Sequence, residues 1–414
     1  MRIAVVGAGI TGIHTCAALL GRGHSVVLID RNPCPAQGAS YAPGLLCSDF
    51  ASHPAFAPET HRGMLRRKPG FFRAEGLMER LKHRKLLSAV GWNPSHPGFA
   101  ENESRFGKFF READRFARAE SRARGIEEER TEGSLLLLTR EEEASIGERF
   151  PDLSFLSPEE ALAVAPGLSP SSVIASALTV PRDSSCNGTY AARQLLRQLR
   201  SAGRDRFEEI YRAKVEKVET KGGAATGVRL ADGQKLAADG VVLANALGAF
   251  PLLRDLGLKL PAIEAEGFTM TFEAEEFSAL PVVTIAFPSL EFTASRVDCR
   301  MRATGRILLG APDDRARKEE FNRLYDAVLG SFVNLRVKDG TMRFWSGRMA
   351  FSPDRFPASG PVPGISGLAV NLLHGIFGIT LAPICAKITA SGFEDPETGT
   401  QCLADACSPR RFAS

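Results

Sequence analysis

One glycine-rich stretch near the start of the chain restricts the fold more than any other feature. The sequence GAGITG at residues 7–12 follows an apolar run at 3–6 and overlaps the start of helical apolar spacing at 11–20. A second apolar run, residues 25–29, ends at Asp30. Strand, glycine-rich turn, helix and second strand in this order predict a parallel βαβ unit of the kind that binds dinucleotides.

Each residue of the turn has a separate role in such a site. Gly7 permits the tight turn, Gly9 lets a pyrophosphate approach the backbone, and Gly12 allows close packing of the helix. The N–H groups at Ile10 and Thr11 begin the helix, where they are available to phosphate oxygens. Asp30, eighteen residues after Gly12, is placed to accept hydrogen bonds from ribose hydroxyls. The motif predicts a dinucleotide site but does not separate FAD from NAD.

Composition and charge exclude several classes of protein. The 414 residues are 44% hydrophobic and 24% charged, as in ordinary globular proteins, and they suffice for two or three structural units. The net charge of +4 is too small to indicate a nucleic-acid partner. Nine basic and two acidic residues fall within 61–85, so any basic surface is local.

The cysteines and the first residues bear on the cell compartment. The eight cysteines form no CxxC pair and have no histidine at metal-ligand spacing, which predicts unpaired thiols and no metal site. Met1 leads directly into the first strand, with no secretory signal, so we expect a cytoplasmic protein. The uncharged stretch 367–386 is interrupted by Asn371, His374 and Pro383, which favours a strand, a turn and a helix over a membrane span.

Further motifs, spread over nearly the whole chain, resemble those of a known protein family. Together with GAGITG and Asp30, the chain resembles the FAD-dependent D-amino-acid dehydrogenase and glycine oxidase group of the D-amino-acid oxidase family. The other segments that resemble the family are ASYAPG at 39–44, VP at 180–181 before Gly188, residues 241–248, EGF at 266–268, FWSG at 344–347 followed by SPD at 352–354, LHG at 373–375 with Gly378, and SPRRF at 408–412.

The resemblance implies a fold class and a division of the chain. The class is α/β and α+β, with a Rossmann-like FAD-binding domain interleaved with a substrate-binding domain built on a mixed sheet. The implied FAD-binding domain comprises residues 1–57, 155–260 and 345–414. The implied substrate-binding domain comprises residues 58–154 and 261–344.

The resemblance also implies which residues contact FAD. Ser40 contacts the pyrophosphate, the backbone at Gly44 and Leu45 faces the flavin, the strand that ends near Val218 reaches the adenine, and the loop 375–380 meets the pyrimidine end of the ring. The full predicted set is Gly7, Gly9, Ile10, Thr11, Gly12, Asp30, Arg31, Ser40, Gly44, Leu45, Val218, Gly248, Gly375, Phe377, Gly378, Ile379 and Thr380.

The implied reaction is oxidation of an amino acid, D- or glycine-like, or of a related amine. Hydride passes from the substrate Cα to flavin N5, and the imine is hydrolysed afterwards. Since the flavin performs this step, the protein mainly orients the substrate. Two alternatives stay open: a flavin-dependent 2-hydroxy-acid dehydrogenase and a flavin-binding subunit without turnover.

The candidate catalytic residues are His374, Arg348 and Tyr41, and one of them departs from the family pattern. The family clamps the substrate carboxylate with the arginine of a WxGLR stretch, whereas this chain reads WSGRM at 345–349. Because neighbouring strand residues point to opposite faces, an unchanged register would place Met349 in the pocket and Arg348 outside it. Either the register slips, or Arg302 or Arg306 binds the carboxylate, or the substrate has no free α-carboxylate.

Three further features have two interpretations each. His374 is either catalytic or a structural anchor of its loop, and Glu266 either attracts a cationic substrate or forms a surface salt bridge. The basic segment 61–85 is either a solvated helix or a contact with the inner face of an anionic membrane. The electron acceptor is therefore a quinone or O₂.

Overall fold

The computed structural model describes residues 1–37, 45–46, 72–74, 84, 88–93, 95–149, 154–172, 175–393 and 401–412. Strands and helices are numbered in chain order. A six-stranded sheet has the order β18-β19-β12-β1-β2-β8, with all neighbours parallel except β18 and β19. Its strands are β1 (Arg2–Val6), β2 (Ser25–Ile29), β8 (Phe207–Ile210), β12 (Gly240–Leu243), β18 (Ala358–Pro361) and β19 (Leu368–Leu372).

A second, mixed sheet of ten strands has the order β17-β13-β16-β15-β14-β5-β7-β3, with β4 paired to β16 and β6 to β7. Its strands are β3 (Leu45–Leu46), β4 (Phe72–Ala74), β5 (Thr131–Leu138), β6 (Phe155–Leu156), β7 (Ser176–Ser185), β13 (Ile263–Glu273), β14 (Thr284–Phe287), β15 (Phe292–Val297), β16 (Arg300–Leu309) and β17 (Arg343–Phe351). A small antiparallel sheet holds β9 (Val215–Lys221), β10 (Ala224–Leu230) and β11 (Lys235–Ala237).

The helices cover the faces of these sheets. They are α1 (Ile10–Gly21), α2 (Phe99–Ala123), α3 (Arg140–Arg149), α4 (Pro158–Val164), α5 (Gly188–Gly203), α6 (Ala249–Asp255), α7 (Asp314–Ser331), α8 (Gly378–Ser391) and α9 (Gln401–Cys407). Helix α8 packs against both α1 and α2, so it joins the parallel sheet to the rest of the molecule.

The predicted βαβ unit is confirmed. Strands β1 and β2 pair in parallel with Val6 opposite Ile29, and α1 between them buries one apolar side against the sheet. The stretch 367–386 forms β19, a turn and the start of α8, as its interrupting polar residues indicate. Among the residues that the structure describes, no helix is both long enough and apolar enough to cross a bilayer.

The two faces of the mixed sheet pack against different partners. On the outer face, Met270 and Met301 lie in one apolar cluster with Leu324 of α7. On the inner face, Met349 and Ile307 lie in another cluster, with Phe377 and residues of α2 and α8. The inner face is therefore the one turned toward the start of α8.

Some strands of the mixed sheet come from ranges that the sequence analysis assigned to the FAD-binding domain. Strands β7 and β17 hydrogen-bond within the mixed sheet, although most of their residues fall in ranges assigned to the cofactor domain. Hydrogen bonding alone does not define a domain, so the division into 1–57, 155–260 and 345–414 against 58–154 and 261–344 stays a prediction.

Candidate functional site

The glycine-rich turn is fixed by close backbone contacts at two of its glycines. Gly7 has a φ of +110°, and a Cβ added there would lie 2.6 Å from the carbonyl oxygen of Ala244. A Cβ added to Gly12 would lie 1.7 Å from the carbonyl oxygen of Gly7. Neither position accepts a side chain, because the turn, α1 and the end of β12 share one small space.

Gly9 has different surroundings. A Cβ added to Gly9 would meet no atom within 4 Å, so its backbone is open on that side. Gly9 is also the N-cap of α1 and supplies no side chain to cap the helix. Since the first N–H groups of a helix have no acceptor within it, Ile10 and Thr11 begin a helix end suited to an anion.

Asp30 stands at the end of β2 and faces the same turn. Its Oδ2 accepts a hydrogen bond from Ala8 N at 2.6 Å, and its Oδ1 accepts one from Asn32 N at 2.7 Å. A carboxylate can accept about four hydrogen bonds, so each oxygen keeps a lone pair for a hydroxyl. Arg31 beside it is exposed.

A second turn, between β19 and α8, lies against the first. Gly375 has a φ of +55°, and a Cβ added there would lie 2.3 Å from the Phe351 ring. Phe377 N donates to His374 O at 3.0 Å, which closes the turn just before α8. A Cβ added to Gly378 would lie 3.7 Å from Ile10 Cγ2, so the two helix starts meet.

The two turns line one crevice at the carboxyl ends of β1, β12 and β19. It is lined by Ile10 and Thr11 on one side and by Gly378 and Ile379 on the other. Such a position, outside the carboxyl ends of parallel strands, is where α/β folds bind ligands.

Two residues that line this crevice have a strained backbone. Two lining residues other than glycine have positive φ, Ala246 at 49° and Leu373 at 65°. Strain of this kind persists where the surrounding structure enforces it, often at ligand sites.

Three buried polar side-chain atoms at or beside the crevice could each form a hydrogen bond with a ligand. Asn245 Oδ1, His374 Nε2 and Thr380 Oγ1 have no hydrogen-bond partner among the described residues. A buried polar group without a partner costs free energy, which a ligand with hydrogen-bonding groups recovers. The open backbone at Gly9, the two helix starts and these atoms together fit a dinucleotide.

His374 connects the crevice to a pair of buried thiols. Its side chain hydrogen-bonds Cys385, which also contacts Cys407. Burial raises the pKa of the Cys385 thiol, but the hydrogen bonds from Cys407 and His374 outweigh burial and lower it. Burial and the bond with Cys385 raise the pKa of Cys407. The hydrogen bond with Cys385 therefore holds the His374 side chain against α8.

The other predicted catalytic residues are placed differently. Arg348 is exposed and forms an ion pair with Glu264, while Met349 is 5% exposed and lies on the inner face. The register is therefore the one expected without a slip, and the Arg348 side chain is engaged by Glu264 even though Arg348 lines the crevice. Tyr41 lies outside the described residues.

The remaining predicted cofactor residues divide into three groups. Ser40 and Gly44 lie outside the described residues. Leu45 belongs to β3 and pairs with Ser185 of β7. Val218 is buried in β9, and Gly248 precedes α6; neither is among the residues that line the crevice.

A buried polar chain was missed by the sequence reasoning. Asn371 Nδ2 donates to Thr15 Oγ1 at 3.0 Å, and Ser359 Oγ lies 3.0 Å from Asn371 Oδ1. These bonds fix β19 to α1 at the crevice, which Asn371 also lines. The available signal was an amide inside an apolar run, which served only as an argument against a membrane span.

The chain is similar to known proteins in sequence and in fold. The family described as FAD dependent oxidoreductase (DAO) matches residues 2–391. The D-amino acid dehydrogenase of Cereibacter sphaeroides is 28% identical over 407 residues, covering 94% of this chain and 90% of that protein. The D-amino acid dehydrogenase of Sinorhizobium medicae is 29% identical over 419 residues, covering 95% and 96%.

A solved structure agrees with the fold. The glycine oxidase from Geobacillus kaustophilus superposes with a TM-score of 0.68 at 20% identity, covering 96% of each chain. The predicted fold class, a Rossmann-like FAD-binding part interleaved with a mixed sheet, is confirmed. The predicted choice of FAD is also confirmed by the matched family.

Proposed function

The chain belongs to the DAO family of FAD-dependent oxidoreductases, and on that premise we propose that it oxidises an amino acid or a related amine. The carbon that carries the nitrogen would lose a hydride, and the resulting imine would be hydrolysed in water. The names of the curated relatives, which match over at least 90% of their length, support this substrate class.

One structural observation carries the proposal. The two turns at Gly9 and Gly378 form a crevice that opens beside the start of α8, and the inner face of the mixed sheet packs against the same region. A cofactor held in the crevice and a substrate held on the sheet would therefore be neighbours.

The residues of the crevice have distinct parts in this proposal. The backbone at Gly7, Gly9 and Gly12 and the start of α1 would hold the pyrophosphate, and Asp30 the ribose hydroxyls. The start of α8, from Gly378, would place positive partial charge beside the ring. Bound FAD supplies the hydride acceptor, so the protein has to bind, orient and exclude water.

Anaerobic reduction of the flavin by a panel of compounds tests the proposal. D- and L-amino acids, simple amines and 2-hydroxy acids would be mixed with the purified protein, and bleaching of the visible absorption would be followed. We expect bleaching by at least one amino acid or amine. Reduction by hydroxy acids alone would favour a 2-hydroxy-acid dehydrogenase, and no reduction by any compound would favour a subunit without turnover.

The charge of one segment bears on the electron acceptor. The segment 61–85, most of which lies outside the described residues, carries nine basic residues against two acidic ones. Near an anionic surface each lysine or arginine contributes roughly 1 kcal/mol, so this charge supports a peripheral membrane contact and a quinone acceptor.

Sedimentation with vesicles tests this contact. We expect binding to phosphatidylserine vesicles at low salt that weakens as ionic strength rises, and its loss when Arg66, Arg67 and Lys68 are replaced by glutamate. A protein that ignores such vesicles and is reoxidised rapidly by air would instead be an oxidase that uses O₂.

A further inference from the structure

We infer that Cys385 and Cys407 form a redox-active pair, which hydrogen peroxide oxidises to an intramolecular disulfide beside the cofactor crevice. The inference goes beyond the proposed function, since it assigns a modification site and the class of its oxidant, a small peroxide. The disulfide also has an effect on the cofactor: it weakens FAD binding through His374, the residue that connects the thiols to the crevice.

The two thiols come from different helices and meet in the core. Cys385 lies in the middle of α8, and Cys407 is the last residue of α9. Both are 0% exposed, both belong to the apolar cluster on the inner face of the mixed sheet, and their side chains hydrogen-bond each other. Side chains that point toward each other meet a main geometric requirement of a disulfide. Such a bond would link α9 to the helix that begins at the crevice.

The surroundings of Cys385 favour the thiolate. Its sulfur accepts hydrogen bonds from Cys407, His374 and Ser359, which lower the pKa of the thiol despite its burial. Burial alone has the opposite effect, as at Cys16 of α1, where it is the main cause of a raised pKa. Since the thiolate and not the thiol attacks a peroxide, Cys385 is the nucleophile of the pair.

Cys407 is suited to the second step of the oxidation. Burial and the hydrogen bond with Cys385 raise the pKa of the Cys407 thiol, so this thiol keeps its proton. A thiolate that is oxidised first and a neighbouring thiol that resolves it are the arrangement found in cysteines that sense peroxide.

The oxidation balances with one peroxide for each pair. The Cys385 thiolate attacks one oxygen of hydrogen peroxide, the O–O bond breaks, and a sulfenic acid forms while hydroxide leaves. The Cys407 sulfur then attacks the Cys385 sulfur, the S–S bond forms, and the S–O bond breaks. The proton released when Cys385 ionised and the proton of Cys407 convert the two hydroxides to water. The two sulfurs together lose two electrons, which the peroxide gains.

Cavities on two sides bring a small oxidant close to the pair. A cavity of about 380 Å³ is lined by Asp405 and Ala406, which directly precede Cys407 in α9. On the other side, His374 lines the crevice and hydrogen-bonds Cys385. Both thiols are buried behind these lining residues, so a molecule as small as hydrogen peroxide should reach them more readily than a bulky thiol reagent.

His374 transmits the change in the thiols to the cofactor site. Its side chain hydrogen-bonds Cys385, while its Nε2 has no hydrogen-bond partner among the described residues. A thiolate holds a ring N–H by a charge-assisted bond, whereas a disulfide sulfur is uncharged and accepts only weakly. Oxidation therefore releases the imidazole that lies between the thiols and the crevice, and the turn before α8 loses a support.

Peptide mapping of the FAD-loaded protein after peroxide treatment tests the inference. The treated protein would be denatured, its remaining thiols alkylated, and the chain cleaved before aspartate. This cleavage puts Cys385, Cys402 and Cys407 on the separate peptides 354–394, 395–404 and 405–414. We expect the first and the third of these peptides to be linked, and the link to be lost when dithiothreitol is added before alkylation.

Cys402→Ser is the matched control for Cys407→Ser, because both remove one thiol from α9. Cys402→Ser should keep the link to Cys385. Cys407→Ser should lose it and leave a sulfenic acid on Cys385, which dimedone traps. If serine at the buried position 407 prevents folding, Cys407→Ala, which places no hydroxyl in the apolar cluster, takes its place.

Titration of the apoprotein with FAD measures the effect on the cofactor. We expect a dissociation constant roughly tenfold higher for the linked protein than for the same sample after dithiothreitol, because one hydrogen bond to a charged group is lost. The Cys402→Ser protein should show the same reversible change.

Three outcomes would overturn the inference. They are full alkylation of both Cys385 and Cys407 after peroxide treatment, a link from either of them to Cys402 in place of the pair, and a linked protein whose FAD affinity equals that of the reduced protein. None of these measurements involves a substrate, so they are independent of the proposed function, which flavin reduction by amino acids and amines tests separately.

Discussion

Arg317 and Glu266 form a two-point ion pair between α7 and β13, with Nε to Oε1 at 2.8 Å and Nη2 to Oε2 at 3.0 Å. Glu266 is 2% exposed and lies on the outer face of the mixed sheet, between Ala265 and Gly267. Burial opposes its ionisation, but the hydrogen bonds from Arg317 and Ser346 outweigh burial and hold the pKa below its usual value. The pair therefore connects α7 to the sheet, and the salt bridge expected for Glu266 is present, but its carboxylate is buried and not at the surface.

Replacing Glu266 by glutamine should destabilise the fold in a pH-dependent way. Because the folded-state pKa lies below the unfolded value of 4.5, the carboxylate contributes its full stability above that pH and loses it as pH falls. We expect a loss of roughly 1–3 kcal/mol near neutral pH, since one partner stays partly exposed. The difference in thermal midpoint between E266Q and the unaltered protein should shrink below about pH 4.5.

Arg315→Gln serves as the control for this pair. Arg315 and Glu319 are on the same helix but largely exposed, at 86% and 64%. An exposed pair of this kind contributes little to stability, so Arg315→Gln should leave the thermal midpoint nearly unchanged. A constant midpoint difference for E266Q from pH 3 to 7 would show that the charge of Glu266 is not what stabilises the contact.

Gly9→Val should remove FAD without unfolding the protein. A side chain at Gly9 enters open space, so the apoprotein should keep its circular dichroism and most of its thermal stability, while the pyrophosphate loses its approach to the backbone. The purified variant should lack visible flavin absorption. Gly21→Val, at the other end of α1 and equally open, should stay yellow.

Gly12→Ala should have the opposite effect. Its Cβ would lie 1.7 Å from Gly7 O, a backbone atom that cannot move without displacing β1. We expect insoluble protein or a large fall in thermal midpoint, whereas Gly9→Ala should be close to the unaltered protein. If Gly12→Ala folds normally but is colourless, the close packing of α1 on the turn is wrong.

Gly9 and Gly12 show how much of the cofactor site could be predicted from the sequence. Spacing alone identified the turn, because a strand, three glycines, a helix and an acid occur in the one order that builds a parallel βαβ unit. The motif also assigned Gly12 to close packing of the helix and Gly9 to an open approach for the ligand, and the contacts of the two glycines agree with these roles. It did not predict the contact that constrains Gly7, where an added Cβ would meet the carbonyl oxygen of Ala244 at the end of β12, more than 200 residues away in the chain.

The substrate-binding part of the molecule was harder to predict, because it also depends on contacts between residues far apart in the chain. Alternation along β17 correctly separated Met349 from Arg348, since it is a local property of any strand. Which residues face each other across β13, β15 and β16 depends on the pairing of these strands and on a register shift between Gly267 and Thr269. Local patterns contain no information about which residues of distant strands are brought opposite one another.

His374→Ala should weaken FAD binding more than it slows the reaction. His374 is 9% exposed, its carbonyl oxygen closes the turn before α8, and its side chain hydrogen-bonds Cys385. Removing that side chain loosens the turn that faces the cofactor, at a cost of about 1–2 kcal/mol for one buried hydrogen bond. Titration of apoprotein with FAD should show a dissociation constant raised roughly tenfold.

His96→Ala is the matched control for this prediction. His96 accepts a hydrogen bond from Gly98 N at an exposed turn and has no contact with the crevice, so its loss should leave FAD affinity unchanged. The flavin-reduction rate at saturating FAD separates the two interpretations of His374. An unchanged dissociation constant with a rate lowered 100-fold or more would show that the imidazole acts on the substrate, because a structural anchor affects occupancy before it affects the chemical step.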